Sequence, residues 1–159
     1  MTEISKELID AYRTTRYVVE SAGGEFALWH IQSSREMQEL YEIHQTDSAL
    51  FITAWNPFSK VHDDEENRQA NEFLREELEA HSMAIFSGRG VGLDPVWAPE
   101  ESYLALGIDR QTSLSIGRQL GQNAIVHAGA DAWPEVYWIL EQEGELVGWS
   151  LAFDPPAAP

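Results

Sequence analysis

An apolar run of strand length, Ala49-Leu-Phe-Ile-Thr-Ala-Trp55, ends at the polar Asn56 and is stopped by Pro57. No other stretch constrains the fold so strongly. It reads as a buried strand that delivers Trp55 and Asn56 to its mouth, a natural place for a site. Gly121-Gln-Asn-Ala-Ile-Val126 carries the mirrored pattern, polar amides first and a buried run after.

Around these two pieces the chain sorts into short elements. Ile4, Leu8, Ala11 and Tyr12 share one face of a helix over residues 3–13. A strand over 16–20 turns through Ser21-Ala-Gly-Gly24 into a partner over 26–31. Ser33 or Ser34 caps a helix with Met37, Leu40 and Tyr41 on its apolar face, and His44 follows one turn on. After the strand at 49–55, a helix over 64–81 turns Ala70, Phe73, Leu74 and Leu78 inward. A short strand at 83–86 leads to a glycine-rich loop, and a strand follows at 102–106. Asp109 caps a helix running to Leu120, and Gly121 is placed to close it in the left-handed conformation before a strand at 124–127. A hairpin pairing 135–140 with 145–153 ends the fold, and 154–159 is a loose tail.

The expected fold is therefore one α+β domain over 1–153. Its mixed sheet has a ferredoxin-like split βαβ core, βαββαβ over 49–127, extended by the N-terminal helix-hairpin-helix and the C-terminal hairpin. At 159 residues and 43% hydrophobic content, a core of that size is within reach.

Charge narrows the partners. The chain holds 27 acidic and 10 basic residues, a net charge of −17. Such a field repels phosphate and anionic lipid, which disfavours direct binding to nucleic acid or membrane. A salt-adapted host accounts for it, as does a phosphate mimic or an acidic face that docks on a basic protein. The absence of cysteine removes disulfides, thiolate catalysis and cysteine-based zinc sites. No run approaches the length of a membrane span and the first residues lack a signal-like pattern, so the reading is cytoplasmic.

Four groups of residues could carry chemistry. His62-Asp-Asp-Glu-Glu66 suggests a metal, but successive helical residues diverge and acids in a first turn complement the helix dipole, so no metal site is assigned. Asn67, just beyond, can lean back toward the loop at Asn56. Gly88-Arg-Gly-Val-Gly92 has neither phosphate-loop spacing nor a helix after it; for an anionic ligand, Arg89, Arg118 and Arg68 are the candidate partners. Trp97 offers a flat wall near Glu100 and Glu101, which alternate across a strand and so do not act together. Gln122 and Asn123 sit between a helix end and a strand, where they serve either free carbonyls or a ligand.

Thr53-Ala-Trp-Asn-Pro57, Glu66-Asn67-Arg68, Trp97 with Glu100-Glu101-Ser102, and Gly121-Gln-Asn-Ala-Ile-Val126 resemble the signature of a bacterial family known as domain of unknown function 3293. The resemblance runs over residues 12–127, and the C-terminal hairpin departs from it. It implies a small cytoplasmic bacterial protein and no particular activity.

The expectation is a binding module whose pocket, at one end of the sheet, is lined by Trp55, Asn56, Asn67, Arg68, Trp97, Glu101, Gln122 and Asn123. An enzyme using Glu101 as general base is the alternative from another class, and an acidic interaction module or nucleic-acid mimic is a third. The sequence names no cofactor. A homodimer through the strand of Trp138 and Trp149 stays open beside a small-molecule ligand and a protein partner.

Overall fold

The computed structural model describes residues 4–152; the expected tail lies outside them. The elements are α1 (Lys6–Thr14), β1 (Arg16–Ser21), β2 (Gly24–Leu28), α2 (Arg35–His44), β3 (Ala49–Ile52), α3 (Asp64–His81), β4 (Ala84–Val91), β5 (Glu100–Leu106), α4 (Arg110–Gln119), β6 (Ala124–Ala128), β7 (Glu135–Gln142) and β8 (Glu145–Ser150). The strands form one eight-stranded sheet in the order β2-β1-β4-β5-β3-β6-β7-β8. Among the described residues no helix is long and apolar enough to cross a membrane.

All neighbouring strands are antiparallel, where the sequence reading expected a mixed sheet. The crossovers explain the difference. The β3–α3–β4 connection leaves room for β5 between its two strands, and β5–α4–β6 steps over β3. Each strand brought back in parallel by α3 or α4 therefore lands two places away.

All four residues of β3 are buried, since helices cover both faces of the sheet. Ala49 and Phe51 pack with Ile9 of α1 and Met37, Leu40 and Tyr41 of α2. Leu50 and Ile52 pack with Leu74 and Leu78 of α3 and Leu114 and Ile116 of α4. Side chains alternate across a strand, so one strand feeds two cores.

Serine and aspartate caps start the helices. Ser5, Ser34, Asp63 and Asp109 each accept a backbone N–H from the first turn, which satisfies a donor the helix itself cannot. Gly121 has φ of +70° and follows the end of α4, as its sequence position suggested.

Two local expectations are corrected, and the open question of whether Trp138 is core or edge is decided. Phe73 is exposed, and Asn67 and Asn71 share the inner face of α3 with Leu74 and Leu78. The glycine-rich stretch is strand as far as Val91, not loop, because β1 and β5 both pair with it. Trp138 is in the core, stacked edge-on against Tyr12 with ring centroids 5.9 Å apart.

Burial favours the neutral form of two histidines, and only His30 would lose its hydrogen bond on protonation. His127 holds the Ile108 carbonyl through Nε2 at 2.9 Å, and His30 Nδ1 accepts the Val136 N–H at 2.9 Å. Burial lowers the pKa of both; Arg110 and Asp109 act on His127, and Arg13 and Glu135 on His30, as smaller influences. A depressed histidine pKa means that the unfolded chain binds more protons, so stability is lost as pH falls from the ordinary value of about 6.5 through the folded one. His30→Gln keeps an acceptor for Val136. It is expected to lose less melting temperature than the parent between pH 7 and pH 5. Equal losses would remove His30 from the acid response.

Candidate functional site

Beyond Ile52 the backbone leaves the sheet through Thr53-Ala-Trp-Asn56, and two asparagines one turn apart on α3 hold it. Asn71 Oδ1 accepts the Ala54 N–H at 2.8 Å, while its Nδ2 donates to the Glu101 carbonyl at 2.9 Å. Asn67 Oδ1 accepts the Asn56 N–H at 2.8 Å, and its Nδ2 donates to Asn56 Oδ1 at 2.9 Å. Both are almost completely buried. Thr53 adds a third tie, donating from Oγ1 to the Glu101 carbonyl at 2.6 Å.

The loop they hold is unusual. Asn56, Phe58 and Ser59 all have positive φ, which costs a non-glycine residue roughly 1 kcal/mol or more. Asparagine tolerates this conformation and phenylalanine does not, so outside contacts maintain it. The Phe58 N–H donates to the Gly121 carbonyl at 2.7 Å, and Asn123 Nδ2 donates to Ser59 Oγ at 2.9 Å. Gln122 Nε2 donates to the Trp55 carbonyl at 3.3 Å. The two amide-bearing segments seen in the sequence thus meet here, each correcting the other's unpaired backbone.

Beside this junction is a cleft of about 630 Å³. Leu8, Ala11 and Tyr12 of α1 line it together with Trp55, Asn56, Ser59 and Gln122. Tyr17, Phe51 and Val126 supply an apolar floor, and Trp97 stands in the 92–99 connection at the rim. A broader, open depression near Tyr41, Asp47 and Met83, about 900 Å³ in volume, contains none of the residues expected at the site.

Within the cleft, Glu100 Oε1 accepts from Trp97 Nε1 at 3.3 Å and from Asn56 Nδ2 at 3.4 Å. Burial raises the Glu100 carboxyl pKa, and those two donors oppose it. Burial also pushes the Tyr12 phenol up to about 12, against hydrogen bonds with Ser59 and Asn123. The arrangement is one carboxylate and several amides and hydroxyls set into aromatic walls. It can orient a polar group while enclosing an apolar body.

Of the eight residues expected at the site, Trp55, Asn56, Trp97 and Gln122 line the cleft. Asn67 and Asn123 stand behind it and brace the loop. Arg68 and Glu101 are elsewhere. Arg68 is on the exposed side of α3, paired with Glu65 at 2.6 Å. Glu101 is exposed on the opposite face of β5 and contributes its backbone carbonyl to Thr53 and Asn71. By the same alternation it is Glu100, not Glu101, that faces the cleft. Of the other arginines, Arg89 is clamped by Glu25 and Glu20, and Arg118 pairs with Glu141.

Tyr12, Ser59 and Asn71 were not among the residues expected at the site. The signal for Asn71 was available: it stands four residues after Asn67, at the spacing that puts two side chains on one helix face.

Residues 52–125 match the family model described as "Protein of unknown function (DUF3293)". The match covers a little under half of the chain, and over this segment the chain is similar to that family. The DUF3293 match is shorter than the span over which the motifs resembled the family. It includes Trp55, Asn56, Trp97, Glu100 and Gln122, whereas α1 with Tyr12 lies outside it. No curated protein and no solved structure matches the chain.

Proposed function

We propose that this protein is a binding module that takes a small molecule into the cleft beside α1. The convergence of Trp55, Asn56, Trp97 and Gln122 on one partly enclosed space supports this most directly, since they come from three separate parts of the chain. The loop supports it further: three left-handed residues held by buried amides are a costly way to connect β3 to α3, and backbone strain of this kind clusters at ligand sites. The strand order β6-β3-β5-β4 supports a ferredoxin-like reading of the core, and the family resemblance supports a bacterial, cytoplasmic setting.

Gly90 provides the test. It lines the cleft, and a Cβ built there meets nothing nearer than Thr15 Cγ2 at 3.8 Å. Gly90→Val is expected to fill the space without loss of folding, because glycine in a strand interior costs roughly 0.5–1 kcal/mol relative to a side chain that fits. A thermal-shift screen of metabolite classes should yield a stabilising compound whose effect disappears in Gly90→Val and shrinks in Gln122→Ala. A compound that stabilises all three proteins equally binds elsewhere, and that result would remove the cleft from the proposal.

A further inference from the structure

The chemistry lining the cleft points to a particular class of ligand. We infer that the cleft binds a small organic cation, a protonated amine with an apolar body, and that Glu100 is its counter-ion. The inference rests on the binding-module reading above and adds the charge and shape of the ligand.

Charge comes first. Glu7 and Asp10 of α1, Asp94 of the 92–99 connection and Glu100 of β5 all line the cleft, and none of its lining residues is basic. The first three are exposed at the rim, while Glu100 is inside and partly buried. Acidity alone would mean little on a chain with a net charge of −17. The distinguishing feature is that an acid is held within an aromatic enclosure although burial opposes its ionisation.

The second observation is incomplete pairing. Both hydrogen bonds to Glu100 arrive at Oε1. Among the described residues Oε2 accepts none, and no lysine or arginine approaches the group. A carboxylate has room for about four hydrogen bonds. The neighbouring donors are neutral, an indole N–H and an amide, and leave its charge uncompensated. An ammonium supplies both the charge and the missing donors.

The walls fit the same ligand. Trp97 donates its indole N–H to Glu100, so the ring stands next to the carboxylate. Tyr12, Tyr17 and Phe51 close the apolar side of the space. Aromatic faces attract cations and exclude anions, and a flat apolar body attached to an ammonium would find its surface buried here. Gln122 adds an acceptor: its Nε2 is turned to the Trp55 carbonyl, which leaves Oε1 without a hydrogen bond among the described residues.

Three probes of one shape separate charge from shape: 2-phenylethylammonium, 2-phenylethanol and 3-phenylpropionate, each titrated at pH 7 and followed by tryptophan fluorescence and calorimetry. The ammonium is expected to bind most tightly and the carboxylate not at all. Glu100→Gln keeps an acceptor for Trp97 and Asn56, and should weaken the ammonium about tenfold or more without lowering the melting temperature. Gly90→Val should abolish binding. If the alcohol or the carboxylate bound as tightly as the ammonium and lost binding in Gly90→Val, the cation assignment would be overturned and the cleft reading would stand. Ammonium binding that survives Gly90→Val would be counter-ion attraction to the acidic surface, and would also overturn it. If none of the three bound while an unrelated compound from the screen required the cleft, the ligand class would be wrong; if nothing required the cleft, both readings would fall.

Discussion

Asn71→Leu is expected to destabilise the protein by about 2–4 kcal/mol, more than removal of any surface ion pair described here. The side chain satisfies two backbone groups on separate segments, the buried Ala54 N–H just beyond β3 and the Glu101 carbonyl of β5. Leucine fills the space and satisfies neither. Thr53 still reaches Glu101, but Ala54 is left with a buried donor and no acceptor, a penalty of about 1–3 kcal/mol beyond the bond itself. Urea denaturation followed by fluorescence measures the loss. Asn71→Asp adds a check on mechanism. It keeps the acceptor for Ala54 but turns a carboxylate oxygen toward the Glu101 carbonyl, so its folded pKa rises and the folded state binds the extra proton. Stability of this variant should therefore recover as pH falls from 7 to 5, against the direction set by the histidines. A loss below about 1 kcal/mol in Asn71→Leu would mean that water replaces the amide and that the clamp is not structural.

Gly88→Ala should cost about 3 kcal/mol or more, whereas Gly90→Ala, two residues along the same face of β4, should be neutral or slightly stabilising. The contrast arises from what each Cβ would meet. At Gly88 it would lie 2.4 Å from the Val18 carbonyl oxygen and 3.0 Å from the Phe51 ring, so the β1 backbone has to move. At Gly90 the nearest atom is a methyl at 3.8 Å. Melting curves for the two alanine variants decide the matter. Similar losses at both positions would show that strand propensity, not crowding, governs these glycines.

The same pair shows why the glycine-rich segment was hard to read. Glycine clusters usually mark loops, and nothing local distinguishes one that lies flat in a sheet because a neighbouring strand and a ring press against it. Periodicity, by contrast, conveyed the helices well, and caps such as Ser34 and Asp109 marked their starts. It failed at Phe73, where the apolar residue faces solvent and Asn71 turns inward, because the inner face of α3 has backbone groups to satisfy as well as a core to fill. Part of the cleft's lining was legible through residue types at strand ends: Trp55, Asn56, Trp97 and Gln122 line one space. Choosing between Glu100 and Glu101 required the register of β5, which no composition or spacing supplies. Tyr12 was visible only as one more apolar position on α1, and its approach to Trp138 and Asn123 is a matter of tertiary packing.

The cleft is assembled from two sources, and this has consequences for descent. Its polar anchors, Asn56, Glu100 and Gln122, belong to the family segment, whereas the wall carrying Leu8 and Tyr12 is supplied by a helix outside it. Anchors and wall can therefore diverge at different rates. A lineage that retains the segment but replaces the leading helix would keep the same polar residues and reshape the space beside them. Under the binding-module proposal, ligand preference then changes through an appendage, with the strained loop and its buried amides undisturbed.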